Sequence, residues 1–188
     1  IHADIPGLEW ETATTMGKTQ PEIRYSFLND KDGDVLVTNG EINIAAAQSM
    51  ITLGDMVATK DARDNSGNIT LNSTHGNVII YSVDDNYEHD PNNRKFVAEW
   101  DMRFHAAQGY VYSDKGFVSV GDMVLEYGSG MQDLGEIESK RGNVSITSTG
   151  YNNRDGVTIN ATVTAAKNIK IRAINGPIII SHDDGNPG

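Results

Sequence analysis

The stretch Gly67-Asn68-Ile69-Thr70-Leu71-Asn72-Ser73-Thr74-His75-Gly76-Asn77-Val78-Ile79-Ile80-Tyr81-Ser82 says one short phrase twice. The phrase is Gly-Asn, a β-branched residue, two further positions ending in an aliphatic, and a small or polar close. It returns as Gly142-Asn143-Val144-Ser145-Ile146-Thr147-Ser148. Looser copies run over Gly40 to Ala45, Gly156 to Ala161, Asn168 to Ala173 and Gly176 to Ser181. A strand points successive side chains to opposite faces. Ile69/Leu71, Val78/Ile80, Val144/Ile146, Val157/Ile159 and Ile169/Ile171 are therefore expected to face inward, with Thr70, Ser145, Thr158 and Lys170 outward.

Glycine before each short strand permits a corner, and β-branched residues fill a coil interior. Equivalent positions recur after 9 residues (Ile69 to Val78), then after 13, 12 and 9 from Val144 through Val157 and Ile169 to Ile178. One or two such strands make a coil of about 20 residues, the scale of β-solenoid repeats. The expected fold is all-β, a β-solenoid or β-helix-like stack of short strands. Asn68, Asn77 and Asn143 are placed to form a hydrogen-bonded ladder along one corner. The uneven spacing keeps an antiparallel β-sandwich or jelly roll as the alternative, since both also use many short strands with Gly/Asn turns.

Around these phrases the chain divides into an N-terminal arm, 1–20, and a single β-rich domain, 21–188. Two duplicated halves are discernible within it, 21–82 and 109–181, joined by 83–108. The duplication is suggested by Gly54-Asp55-Met56-Val57 answering Gly121-Asp122-Met123-Val124, and by Gly67-Asn68 answering Gly142-Asn143. Residues 83–95 form the longest polar stretch and read as a loop. In the segment after it, Phe96, Ala98, Trp100, Met102 and Phe104 alternate with Val97, Glu99, Asp101, Arg103 and His105. That alternation predicts one amphipathic strand, with a helix as the lesser alternative.

Composition narrows the function classes. The 188 residues carry a net charge of −11, with 19 Gly and no Cys, and the mean hydropathy is −0.42. Such acidity repels nucleic acid and anionic membrane surfaces, so neither is expected as a partner. With no Cys, disulfides and thiolate zinc sites are excluded. No apolar run approaches the ~18 residues of a membrane-spanning helix, so no membrane insertion is expected. The chain starts at Ile1, which fits a mature product after leader removal or an excised fragment. The expected location is secreted, extracellular or at the cell surface.

The phrases Gly67–Ser82, Gly142–Ser148 and Asn168–Ala173 resemble the repeats of filamentous-haemagglutinin-type adhesins, over roughly 67–82 and 142–181. Those proteins are right-handed parallel β-helices on bacterial surfaces. The resemblance implies a rod-like, secreted, non-enzymatic surface protein, and it carries over no site residue because the repeat has none.

Candidate sites are few. Asp30, Asp32 and Asp34, at alternate positions of a turn, are the candidate calcium ligands. The EF-hand template fails there, and a solvated polar turn is the competing reading. Asn68, Asn72, Asn143 and Asn160 begin Asn-x-Ser/Thr sequons and are glycosylation candidates, although the strand phrase itself generates such sequons. His2, His75, His89, His105 and His182 have no metal-ligand spacing, and no hydrolase, metalloprotease or phosphate-loop motif occurs. No catalytic residue and no cofactor other than calcium is expected. The leading expectation is a non-enzymatic structural protein that self-assembles on the cell surface as a filament, sheath or adhesin rod subunit, with other copies of itself as partners. The alternative is a carbohydrate-binding or carbohydrate-cleaving β-helix that meets surface glycans through Tyr81, Tyr87, Tyr110, Tyr112, Tyr127 and Tyr151.

Overall fold

Each repeated phrase forms one strand, and each strand pairs in parallel with the same phrase one coil away. The computed structural model describes residues 25–29, 35–52, 54–60, 66–80, 96–113, 116–129, 136–150 and 156–181. Within them are eighteen strands and no helix. One six-stranded sheet stacks β3 (Ile42–Ala46), β6 (Ile69–Ser73), β9 (Met102–Ala106), β12 (Met123–Tyr127), β14 (Val144–Ser148) and β17 (Ile169–Ala173) in that order. A second stacks β2 (Val35–Val37), β5 (Met56–Ala58), β8 (Phe96–Ala98), β11 (Phe117–Ser119), β13 (Ile137–Ser139) and β16 (Val163–Ala165). A third face is built from β1 (Tyr25–Asn29), β4 (Ser49–Thr52), β7 (Val78–Ile80) and β10 (Val111–Ser113). A separate pair joins β15 (Val157–Ile159) to β18 (Ile178–Ile180). Every pairing is parallel.

Parallel neighbours cannot be joined by hairpins, so the chain must circle between them. This chain circles through the other faces, which makes it a parallel β-solenoid and sets aside the antiparallel sandwich and jelly roll. The coils measure 27, 33, 21, 21 and 25 residues at one corner. The 9-to-13-residue intervals in the sequence are steps between faces of one coil, as from Ile69 in β6 to Val78 in β7. The differences in coil length fall between strands, for instance between β5 and β6 and between β7 and β8, so the strand register survives them.

The interior is a set of apolar columns. Ile42, Ile69, Met102, Met123, Val144 and Ile169 lie in register along the first sheet, and Ile44, Leu71, Phe104, Leu125, Ile146 and Ile171 form the column two residues on. Phe96, Phe104 and Phe117 meet edge to face at the centre, with centroids 5.6, 5.8 and 5.1 Å apart. Such pairs add about 0.5–1.5 kcal/mol each beyond their buried area. Buried hydroxyls satisfy corner backbone: Ser73 Oγ donates to Gln48 O (2.8 Å) and accepts from the N–H of Gly76 (3.1 Å). Ser139 Oγ does the same for Gly121 O (2.7 Å) and the N–H of Gly142 (3.1 Å).

Several local expectations change. The amphipathic run 96–105 is two strands, β8 and β9, with a corner at Glu99–Asp101. The alternation passes through that corner in phase, and Trp100 lies half-buried on it rather than in the core. Thr158 was expected outward, yet it is buried. Met56 and Met123, paired by the Gly-Asp-Met-Val match, open strands in different sheets, whereas Gly67-Asn68 and Gly142-Asn143 precede strands of the same sheet. The 1–20 arm lies outside the described residues.

Candidate functional site

Two features stand out against this regular interior: one polar corner, and the last coil. The corner lies between the second and first sheets, where each strand of the first sheet is preceded by a side-chain oxygen. These residues are Glu41, Asn68, Asp101, Asp122, Asn143 and Asn168. They form a continuous ladder. Asn68 Nδ2 donates to Glu41 Oε1 at 2.6 Å. The N–H of Asp101 donates to Asn68 Oδ1 (3.1 Å), and that of Asp122 to Asp101 Oδ1 (2.8 Å). Asn143 gives both its N–H (2.8 Å) and its Nδ2 (2.9 Å) to Asp122 Oδ1. Asn168 repeats this on Asn143 Oδ1, at 3.3 and 2.9 Å. The expected ladder of Asn68, Asn77 and Asn143 is thereby corrected. Asn68 and Asn143 share a corner with two aspartates between them, while Asn77 serves another corner, accepting from the N–H of Tyr110 at 3.1 Å.

Hydrogen bonds from the backbone and side chain of Asn143 hold the Asp122 carboxyl below its ordinary value of 3.8, with smaller help from Lys167 and Arg103 against the cost of burial. Donation to the ionised form favours it, which is the direction seen.

The residue before each ladder position is Gly40, Gly67, Trp100, Gly121, Gly142 or Lys167. The backbones of this column bond to one another, from Gly67 N to Gly40 O (2.8 Å), Trp100 N to Gly67 O (3.2 Å) and Gly121 N to Trp100 O (2.9 Å). Glycine is thus what the architecture uses on either side of Trp100. Gly67 holds φ +88°, a conformation that disfavours side chains. Beside Trp100 is a shallow depression of about 350 Å³ lined by Glu41, Asn68, Thr70, Trp100, Asp101 and Arg103. Arg103 Nη2 reaches Asp101 Oδ2 at 3.4 Å. Lys60 is not part of this lining; its Nζ lies 4.8 Å from the centroid of the Trp100 ring, and its N–H donates to Glu99 Oε2 at 2.8 Å.

In the last of the described coils, inward positions are exposed. Val144, Val157 and Ile159 are fully buried, whereas their counterparts one coil on, Ile169, Ile178 and Ile180, are 48%, 48% and 59% exposed. Strands β16, β17 and β18 each lie at the edge of their sheet. Strand β17 carries exposed Lys170 and Arg172, but β18 is Ile178-Ile179-Ile180 with no charge in it. Charged side chains blunt a sheet edge; an uncharged apolar edge invites pairing.

The residues singled out from sequence fall in different places. Asp30, Asp32 and Asp34 lie outside the described residues. Asn68 and Asn143 are engaged in the ladder, and Asn72 Oδ1 lies 3.2 Å from His105 Nδ1. Asn160 is the exposed one of the four, and its Oδ1 accepts from Ser181 Oγ at 2.8 Å. Among the described residues no three His, Asp or Glu side chains gather as a metal-holding group. The described tyrosines lie in different surroundings. Tyr127 is a core residue whose hydroxyl donates to Gly156 O at 3.3 Å, and burial pushes its pKa upward. Tyr110 and Tyr112 belong to the third face; Tyr81, Tyr87 and Tyr151 lie outside the described residues. Comparison with protein-family models, with curated proteins and with solved structures finds no match.

Proposed function

We propose that this chain is a non-enzymatic structural protein that self-assembles outside the cell, as a filament, sheath or adhesin rod subunit. The observation that carries the reading is the uncharged apolar strand β18, Ile178-Ile179-Ile180, exposed among the described residues. Among the described residues Ile169, Ile178, Ile179 and Ile180 stand 42–59% exposed on edge strands, where the preceding coils bury the equivalent column. Solenoid coils draw their stability from contact with neighbours, so an apolar edge of this kind suits stacking on another β edge. Covering a half-exposed Ile is worth about 1 kcal/mol, so the column supplies a few kcal/mol before backbone pairing is counted. The net charge of −11 suits a surface that stays dispersed everywhere except at such an edge. The resemblance of the strand phrases to filamentous-haemagglutinin-type repeats points to the same extracellular rod role.

Sedimentation velocity over a hundredfold concentration range, with and without calcium, and electron micrographs of the same samples test this. The expected result is concentration-dependent growth of the wild type and its loss in Ile178→Lys/Ile180→Lys. A wild type that stays strictly monomeric throughout, dispersed in the micrographs, removes the proposal.

A further inference from the structure

The polar corner holds a residue that the fold does not explain. Its column reads glycine in four of six coils, and glycine flanks position 100 on both sides, yet position 100 is a half-buried tryptophan. Its column neighbours, Gly67 and Gly121, carry no side chain, and the Lys60 ammonium lies over one face of the ring, 4.8 Å from its centroid. Cation–π contact of this kind orients an exposed ring at a gain of about 0.5–1 kcal/mol. The rest of the lining is polar: the carboxylates of Glu41 and Asp101, the amide of Asn68, the hydroxyl of Thr70 and the guanidinium of Arg103.

We infer that the Trp100 depression is a binding subsite for a neutral saccharide. An indole offers an apolar plate, and planar carboxylate, amide and guanidinium groups around it accept from and donate to hydroxyls. A sugar ring has both complements, an apolar C–H face and a rim of hydroxyls. An apolar peptide side chain would cover the Glu41 carboxylate and the Arg103 guanidinium and take their charges out of water, which is costly. The lining carries two carboxylates, Glu41 and Asp101, against the one guanidinium of Arg103, and the chain as a whole is strongly acidic. A polyanionic glycan is thereby disfavoured relative to a neutral one. The depression spans coils that carry Glu41, Asn68 and Trp100 in succession, so it suits a short oligosaccharide lying along the rod.

Isothermal titration calorimetry of the full chain tests this with cellohexaose, mannohexaose, maltohexaose and β-1,4-galactohexaose as neutral probes and a hexagalacturonate as the acidic one. At least one neutral hexasaccharide is expected to bind saturably in the millimolar range or tighter. Trp100→Gly places the neighbours' own residue in the column, so melting is expected to stay close to wild type. Binding should fall at least tenfold, about 1.4 kcal/mol. Trp100→Tyr should restore most of it. If Trp100→Gly fails to fold, Glu41→Gln and Arg103→Ala on the exposed rim provide the same reading, each with a several-fold loss. Absence of heat with all four neutral probes, equal binding by folded Trp100→Gly, or preference for the hexagalacturonate overturns the inference. None of these outcomes bears on assembly through the last coil.

Discussion

Phe104→Ala is the most informative single perturbation of the stack. Phe104 is 1% exposed, with Leu71 and Leu125 as its register partners in the coils on either side and the rings of Phe96 and Phe117 edge-on to it at 5.6 and 5.1 Å. Truncating a buried Phe costs about 3–5 kcal/mol through lost transfer energy and the cavity left behind. Two lost ring pairs, about 0.5–1.5 kcal/mol each, put this site at the upper end. Ile171→Ala is the matched control. It sits in the same column three coils on, in the last of the described coils, and it is only half-buried. Its cost should be about 1–2 kcal/mol, because less apolar surface is buried there and a smaller cavity is left. Urea unfolding followed by far-UV circular dichroism at low protein concentration, where assembly does not add cover to Ile171, measures both. In thermal terms the Phe104 variant should melt about 10–20 °C lower, at roughly 2–4 °C per kcal/mol for a chain of this size. Equal costs at the two positions would refute the coil-by-coil account of the core.

Further outcomes follow from the corner and the core. The Asp122 carboxyl, depressed in the folded state by Asn143, stabilises the fold above its unfolded value of 3.8 and loses that contribution as pH falls through the lower folded value. Asp122→Asn should therefore be less stable than wild type near neutrality and converge with it in strong acid. An NMR titration midpoint for Asp122 at or above 3.8 would contradict the ladder assignment. The buried Tyr127 hydroxyl should stay protonated past its ordinary value of 10.0. Stability then declines with rising pH above about 10, as the unfolded phenol ionises and the folded one does not. Alkaline difference spectroscopy should show its ionisation only on unfolding, and Tyr127→Phe should cost about 1 kcal/mol through the unpaired Gly156 carbonyl. At Gly76 a Cβ would overlap the backbone nitrogen of Ser49 in the coil below. Gly76→Ala should cost about 1–3 kcal/mol, readable as a fall in melting temperature.

The sequence by itself determined the strands, because period two and the Gly-Asn phrase are local. Ile69/Leu71, Val78/Ile80, Val144/Ile146 and Val157/Ile159 face inward as the alternation requires, each at most 1% exposed. It also contained the ladder, in a form broader than Gly-Asn. A side-chain oxygen followed by an apolar-x-apolar triplet occurs at 41–44, 68–71, 101–104, 122–125, 143–146 and 168–171. Asp101 and Asp122 escape a search for asparagine because either side chain supplies the same acceptor. Only the tertiary structure decided which phrases share a face. Alternation fixes a side chain as inward or outward within a strand, but carries no information about which strand lies one coil away when coils run from 21 to 33 residues. For the same reason Asn77 was separated from Asn68, and a single run over 96–105 was bent at Trp100. Trp100 continued the alternation, yet the fold set it on a glycine column at the surface. Likewise the apolar phrases at 169–173 and 178–180 read as those of a buried coil, and only the tertiary structure sets them on edge strands of the described residues, with Ile169, Ile178 and Ile180 exposed.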